Sequence, residues 1–185
     1  MLGYFYHAIS HRDYSLSSST LDSLIMTKAK TDTQSKGYAC IGLVNPKTPE
    51  NVGSVMRAAG CYGANSVFYT GTRYDHARKF HTDTKEKHLA LPLIGVEELK
   101  DIIPVGCVPV AVDLIEGAKP LPDYKHPPRA FYIFGPEDGT LKKEITDFCR
   151  DTIYVPTNGC MNLAASVNVV LYDRLAKGDN FSNHK

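Results

Sequence analysis

Three short stretches of this chain carry residues able to do chemistry: Asn51-x-Gly53-x-x-x-Arg57, Phe134-Gly-Pro-Glu137, and Pro156 onward through Met161-Asn162-Leu163 to Ser166. Arg57 stays charged at any physiological pH, so its use is to grip an anion or to stabilise negative charge as it develops. Glu137, when ionised, can only accept hydrogen bonds. The third stretch opens with the apolar run Ile153 to Val155, which reads as a short buried strand ended by Pro156. Turn formers follow at Thr157 to Cys160, and from Asn162 onward Leu163, Val167, Val170 and Leu171 recur at helical spacing. A loop of that kind presents backbone N–H groups and the positive end of a helix dipole to a ligand. It is equally a plain strand-to-helix connection capped by Asn162, and the residues alone leave both readings open.

The motifs that are missing narrow the field. No G-x-G-x-x-G follows the first expected strand, and no G-x-x-x-x-G-K-[ST], G-x-S-x-G or H-E-x-x-H occurs. Dinucleotide enzymes, triphosphate enzymes, serine hydrolases and zinc proteases therefore lose their main support. Twenty-one Lys and Arg balance twenty Asp and Glu, so any nucleic acid must be held by a local basic patch. Residues 73–88 offer one: five Lys or Arg, Arg73, Arg78 and Lys79 among them, are mixed with Tyr74 and Phe80. Phosphate contact and base stacking need that mixture, although a solvated charged loop has the same composition. The five cysteines are odd in number and scattered, with no C-x-x-C pair. We expect a reduced, cytoplasmic protein without a metal site. No apolar run reaches the length of a membrane span, and the N-terminus lacks the layout of a signal peptide.

The elements that must position these residues read as α/β. At 185 residues the chain suits one domain with a substantial core. Residues 1–37, rich in Ser and then in Lys, predict a loosely ordered arm, and residues 38–185 a single domain. Strands are expected at Tyr38 to Val44, Ser66 to Thr70, Cys107 to Leu114, Ala130 to Phe134 and Ile153 to Val155, with a possible edge strand at Leu89 to Leu93. Helices are expected at Asn51 to Gly63, Val96 to Ile103, Leu141 to Cys149 and from Asn162 to Leu175. The alternation favours a parallel sheet with helices on both faces. Each of the three chemical stretches follows a strand, so they begin where ligands bind in such sheets and could meet in one crevice.

Taken in order and at their separations, the three stretches resemble the three motifs of the SpoU-type (TrmH-like) branch of the SPOUT RNA 2'-O-ribose methyltransferases. The match covers about residues 38–178. It implies an α/β knot fold with a C-terminal trefoil knot, S-adenosylmethionine as methyl donor, and a ribose 2'-hydroxyl of tRNA or rRNA as acceptor. The chain shows no attached RNA-binding domain, which inclines the reading towards a small structured RNA such as tRNA. The resemblance also implies a homodimer through the knot region, with the helix from Asn162 to Leu175 packed partly against its twin. Val112, Gly135, Val155, Cys160 and Met161 would hold the donor, and Arg57, Glu137 and Asn162 would serve catalysis. Asn51, with Arg73, Arg78 and Lys79, would hold the RNA. Two departures stand out: the loop from Val155 to Cys160 is shorter than usual in the family, with Cys160 where a Ser is expected, and Glu137 is followed by Asp-Gly-Thr-Leu rather than by x-x-Gly-Leu. They motivate a second reading, a knotted RNA-binding protein whose donor binding is weak or lost.

Overall fold

A computed structural model describes residues 37–78 and 91–178. The expected arm, Gly37 apart, and Lys79 with most of the basic segment lie outside these residues. The chain enters at β1 (Tyr38–Leu43), crosses by α1 (Pro49–Cys61) to β2 (Ser66–Tyr69), and continues through α2 (Arg73–Arg78) to β3 (Leu93–Gly95). Next come β4 (Val108–Val112), the two-residue β5 (Lys119–Pro120), β6 (Arg129–Phe134), α3 (Lys143–Thr146), β7 (Asp151–Tyr154) and α4 (Leu163–Lys177). All strand pairs are parallel, and the sheet runs β3-β2-β1-β6-β4-β7-β5.

Both faces of the sheet are covered, which is why its central strands read as continuous apolar runs. Ala39, Ile41 and Leu43 of β1, with Ala130, Tyr132 and Phe134 of β6, join the cluster that holds Val52, Val55 and Ala59 of α1 and Val167, Val170 and Leu171 of α4. The alternate residues Cys40, Ala111, Phe131 and Ile133 face a smaller cluster with Leu99 and Leu141. On that side the sheet is closely covered: a Cβ at Gly42 would meet Leu99 and Phe131 at 3.0 Å.

The βαβ opening, the central place of β4 and the long last helix match the pattern of apolar spacing, and Gly63 follows α1 with φ +70. Four expectations are corrected. The helix expected over Val96 to Ile103 is only a 3-10 turn, Leu99–Ile102. Pro104 explains its end, because the residue before a proline is driven out of the helical region and Ile103 is extended. The helix expected from Leu141 shrinks to the single turn of α3, since Lys142 is extended and only half-buried Ile145, Phe148 and Cys149 face the sheet. The edge strand falls at Leu93–Gly95, after Pro92 rather than across it. Among the described residues the sheet has seven strands rather than five or six, because the two-residue β5, in the proline-rich stretch between β4 and β6, pairs at its far edge.

The C-terminal part of α4 is fastened by a polar chain in which every donor has a defined acceptor. Arg174 Nη1 donates to the Tyr132 hydroxyl at 3.2 Å, and that hydroxyl lies 2.6 Å from His126 Nδ1. His126 Nε2 lies 2.9 Å from Asp173, which also pairs with Lys177 at 2.7 Å. A neutral imidazole protonated on Nε2 satisfies the whole series, donating to Asp173 and accepting from Tyr132. A proton on Nδ1 would leave the tyrosine hydroxyl without its acceptor. Burial drives the His126 pKa below its ordinary 6.5, outweighing the attraction of Asp173. Burial likewise pushes Tyr132 up to about 12. A histidine held neutral contributes stability that is complete above its unfolded pKa and is lost as pH falls below it, because the unfolded chain then binds the extra proton. Denaturant melts should therefore show wild type losing stability as pH drops from 7.5 to 5.5. The difference between wild type and His126→Gln should shrink over the same range; a gap that widened towards low pH would contradict the neutral assignment.

Candidate functional site

The carboxyl ends of β4, β6 and β7 open into one cavity of about 850 Å³. Its walls come from the segment after β4 (Val112, Asp113, Leu114), the segment after β6 (Phe134 to Glu137, Gly139) and the run Tyr154 to Met161, with Leu163 and Ser166 of α4. These strands adjoin because β6 inserts between β1 and β4, so successive connections leave the sheet in different directions there. Such a switch point leaves a crevice that no crossover fills. The size lies within the ordinary range for small-molecule sites.

Val112, Gly135, Val155, Cys160 and Met161, each expected to hold a cofactor, all line this cavity, as does Glu137. Cys160 is exposed and its thiol is free. The N–H groups from Thr157 to Met161 have no main-chain partner among the described residues. Asn162 begins α4 as its N-cap, its side-chain oxygen accepting from Ala165 N at 2.7 Å, so the bland reading of that residue holds in the structure.

Glu137 accounts for the join between the first two stretches. Its Oε2 accepts from Lys47 N at 2.8 Å, and its Oε1 from Thr48 N at 3.3 Å, Thr48 Oγ1 at 3.1 Å and Asn51 Nδ2 at 3.0 Å. One carboxylate thus closes the turn before α1 onto the loop after β6, across about ninety residues of sequence. Partial burial works to raise its pKa, but the bonds from Asn51 and from main-chain N–H groups outweigh it and hold the carboxyl below its usual range. Asn51 is therefore drawn to the rim of the site. Arg57 is not: it is exposed on α1, is not among the cavity-lining residues, and makes no hydrogen bond or ion pair among the described residues. Glu137 orients the start of α1, and its hydrogen bonds do not reach Arg57.

Arg73 begins α2 and clasps Asp138 with both terminal nitrogens, at 3.0 and 2.9 Å, while Lys47 approaches the same carboxylate at 3.6 Å. Arg78 ends α2. Sequence reasoning missed Asp113, whose Oδ1 accepts from Leu114 N at 2.8 Å and whose Oδ2 accepts from Leu141 N at 2.6 Å. It ties the loops after β4 and β6 together. The available signal was an acid placed directly after a buried strand at the edge where ligands bind. Asp138, one of the residues after Glu137 that depart from the family pattern, pairs with Arg73 rather than with Arg57.

Among the described residues there is no group of three His, Cys, Asp or Glu able to hold a metal ion, and no helix long and apolar enough to cross a membrane.

An all-parallel α/β sheet, with its crevice at a switch point and walled by loops from three neighbouring strands, defines an α/β protein with the fold of the solved SpoU methyltransferases. The family model of the SpoU rRNA Methylase family matches residues 38–172, and the chain belongs to that family. Among curated proteins, no sequence matches it. Among solved structures it is similar to the A. aeolicus TrmH/SpoU tRNA modifying enzyme, with TM-score 0.61 and 14% identity over 88% of this chain and 85% of that one. A protein solved in work on 2-OH methylation of C/U34 on tRNA aligns with TM-score 0.63 and 21% identity over 80% and 96%. The SpoU methyltransferase AviRb from Streptomyces viridochromogenes, solved with AdoMet, aligns with TM-score 0.60 and 20% identity over 76% and 58%. The chain spans less than two thirds of the length of the first solved structures it matches.

Replacing Glu137 by Ala removes the acceptor for four hydrogen bonds and should cost about 1–3 kcal/mol, towards the lower end because the carboxylate is partly solvated. Glu137→Gln keeps an acceptor oxygen and should cost less. Urea melts check both; equal stability of wild type and Glu137→Ala would show that the clasp does not hold the loops.

Proposed function

We propose that this chain transfers a methyl group from S-adenosylmethionine to a ribose 2'-hydroxyl of an RNA, tRNA being favoured over rRNA. The observation that carries the reading is the convergence of the second and third motif loops on one cavity, with Glu137 joining the first motif to it. The lining suits the donor. Val112, Leu114, Phe134, Val155 and Met161 offer apolar walls for an adenine face, and the loop N–H groups can meet its edge. Asp113 and Glu137 place carboxylates at the same opening, which favours a cationic centre. When bound, the donor supplies an electrophilic methyl on a sulfonium. The preference for tRNA draws on two neighbours described as tRNA-modifying or tRNA-methylating, which this chain matches along 85% and 96% of their lengths.

The remaining work falls to the chain's own side chains. Arg57 grips the phosphate beside the acceptor sugar and stabilises negative charge on the 2'-oxygen, while the proton leaves to phosphate or water, since a guanidinium is a poor base. Asn51, held by Glu137, and the side-chain NH2 of Asn162, whose oxygen caps α4, hydrogen-bond the ribose or adjacent backbone. Arg73, Arg78 and Lys79 hold more distant phosphates. The reading includes a C-terminal trefoil knot and a homodimer. In favour of the dimer, Tyr172 of α4 is 53% exposed and meets Tyr62 edge-on, and Arg57 faces outward from its own cavity. A second protomer can bring that guanidinium to the partner's cavity.

The short loop from Val155 to Cys160, with an exposed thiol where the family expects a hydroxyl, favours one alternative: an RNA-binding protein that has lost efficient donor binding. Calorimetry with S-adenosylmethionine separates the two, because RNA binding without donor binding supports the alternative. For the enzyme, Arg57→Ala should lower methyl transfer to unmodified tRNA by about 10²–10³-fold, the loss typical of removing one stabiliser of a developing oxyanion. Donor affinity should stay within about twofold of wild type, as expected for a residue outside the lining. Near-normal turnover in that variant would remove Arg57 from the mechanism.

A further inference from the structure

The ion pair of Arg73 with Asp138 stands at the rim of the proposed site and has no evident structural task. Asp138 follows Glu137 directly, and the carboxylate of Glu137 is already committed to the turn before α1. Arg73 follows β2, Lys47 follows β1 and Asp138 follows β6, and these three strands are neighbours in the order β2-β1-β6. Two cations are thereby brought to one carboxylate on the ligand-binding edge. The pairing is planar and two-pronged, each terminal nitrogen of Arg73 taking one oxygen of Asp138. It is also open to water: the side chains of Arg73 and Asp138 are 31% and 50% exposed, and that of Lys47 57%. Exposed pairs contribute little to folding, so this one can open at small cost. A backbone phosphate offers a guanidinium the same two-oxygen geometry and the same single negative charge as a carboxylate does, so it can take the carboxylate's place.

We propose that Asp138 is an internal stand-in for an RNA backbone phosphate, which takes over the Arg73 fork and the Lys47 ammonium when RNA docks. In the free protein the carboxylate holds Arg73 in the conformation that phosphate needs. On docking, Asp138 turns out into solvent, and a ligand too weakly anionic to displace it gains nothing from the two cations. The inference rests on the RNA-binding part of the proposed function and adds a residue that opposes binding to those that favour it.

The test measures affinity of the full-length protein for unfractionated tRNA and for rRNA across a range of salt concentrations, alongside calorimetry and methyl transfer with S-adenosylmethionine. Asp138→Asn should tighten RNA binding about fivefold at low salt, the effect of one unit charge a few ångströms away in water. Arg73→Gln should weaken it and lower the salt slope by about one. In the double variant the gain from Asp138→Asn should disappear, because the site it guarded is gone. Unchanged or weaker binding by Asp138→Asn, an equal gain with Arg73 removed, or no RNA binding by wild type would each overturn the proposal. If wild type binds RNA but neither binds nor uses the methyl donor, the enzymatic reading fails, and the three variants still decide the role of Asp138.

Discussion

The site depends on a single carboxylate accepting from four donors. Glu137 sits in the loop after β6, and its acceptors close on Lys47, Thr48 and Asn51, which lie between β1 and α1. β1 and β6 are adjacent and in register from Tyr38 opposite Arg129 to Leu43 opposite Phe134, so their carboxyl ends are already close when the sheet forms. Glu137 converts that nearness into a defined geometry. Without an acceptor there, two main-chain N–H groups and an amide would have to find water in a half-buried turn. Asp113 repeats the device one strand away, accepting from Leu114 and Leu141. Two acids, each placed just beyond or near the end of a buried strand, thus tie the segments after β1, β4 and β6 to one another beside the cavity.

The cavity itself follows from strand order. The chain lays down β1, β2 and β3 in one direction and later inserts β6 between β1 and β4. Covering helices then lie on opposite sides of the break, and the space between the loops stays open. The same order buries the central strands on both faces, which explains why Phe131 and Ile133 are as buried as Tyr132 although they point the other way. Packing and site formation are therefore one consequence of topology.

Much of this was legible in the residues. Apolar runs revealed the interior strands, because a strand covered on both faces has no polar phase to hide it. Periodicity revealed α1 and α4, whose buried residues recur over about two turns. Both failed for short elements. A 3-10 turn at Leu99–Ile102 and one helical turn at Lys143–Thr146 bury too few residues for a pattern to extend, and in the first case proline cuts it off. The two-residue β5 has no pattern at all. At the site, the loops that line the cavity were visible as turn formers after strands, whereas the pairing of Arg73 with Asp138 and the clasp of Glu137 on Asn51 join residues 65 and 86 positions apart, and nothing local records them.

The position of Arg57 follows from helical phase. Val52, Val55 and Ala59 commit one side of α1 to the core, so Gly53, Ser54, Arg57 and Cys61 are turned to solvent together. Asn51, at the boundary between the two sides, can be reached by Glu137; Arg57 stands six residues on, about 9 Å further along the axis. A rigid helix cannot bring both to one cavity by rotation, since turning Arg57 inward would expose the valines. Gly53 adds no bulk to the outer stripe, with nothing within 4 Å of where its Cβ would lie, so a second surface can approach α1 closely beside Arg57. Chemistry that uses this guanidinium therefore needs a surface supplied from outside the protomer, either the RNA or a second copy of the chain.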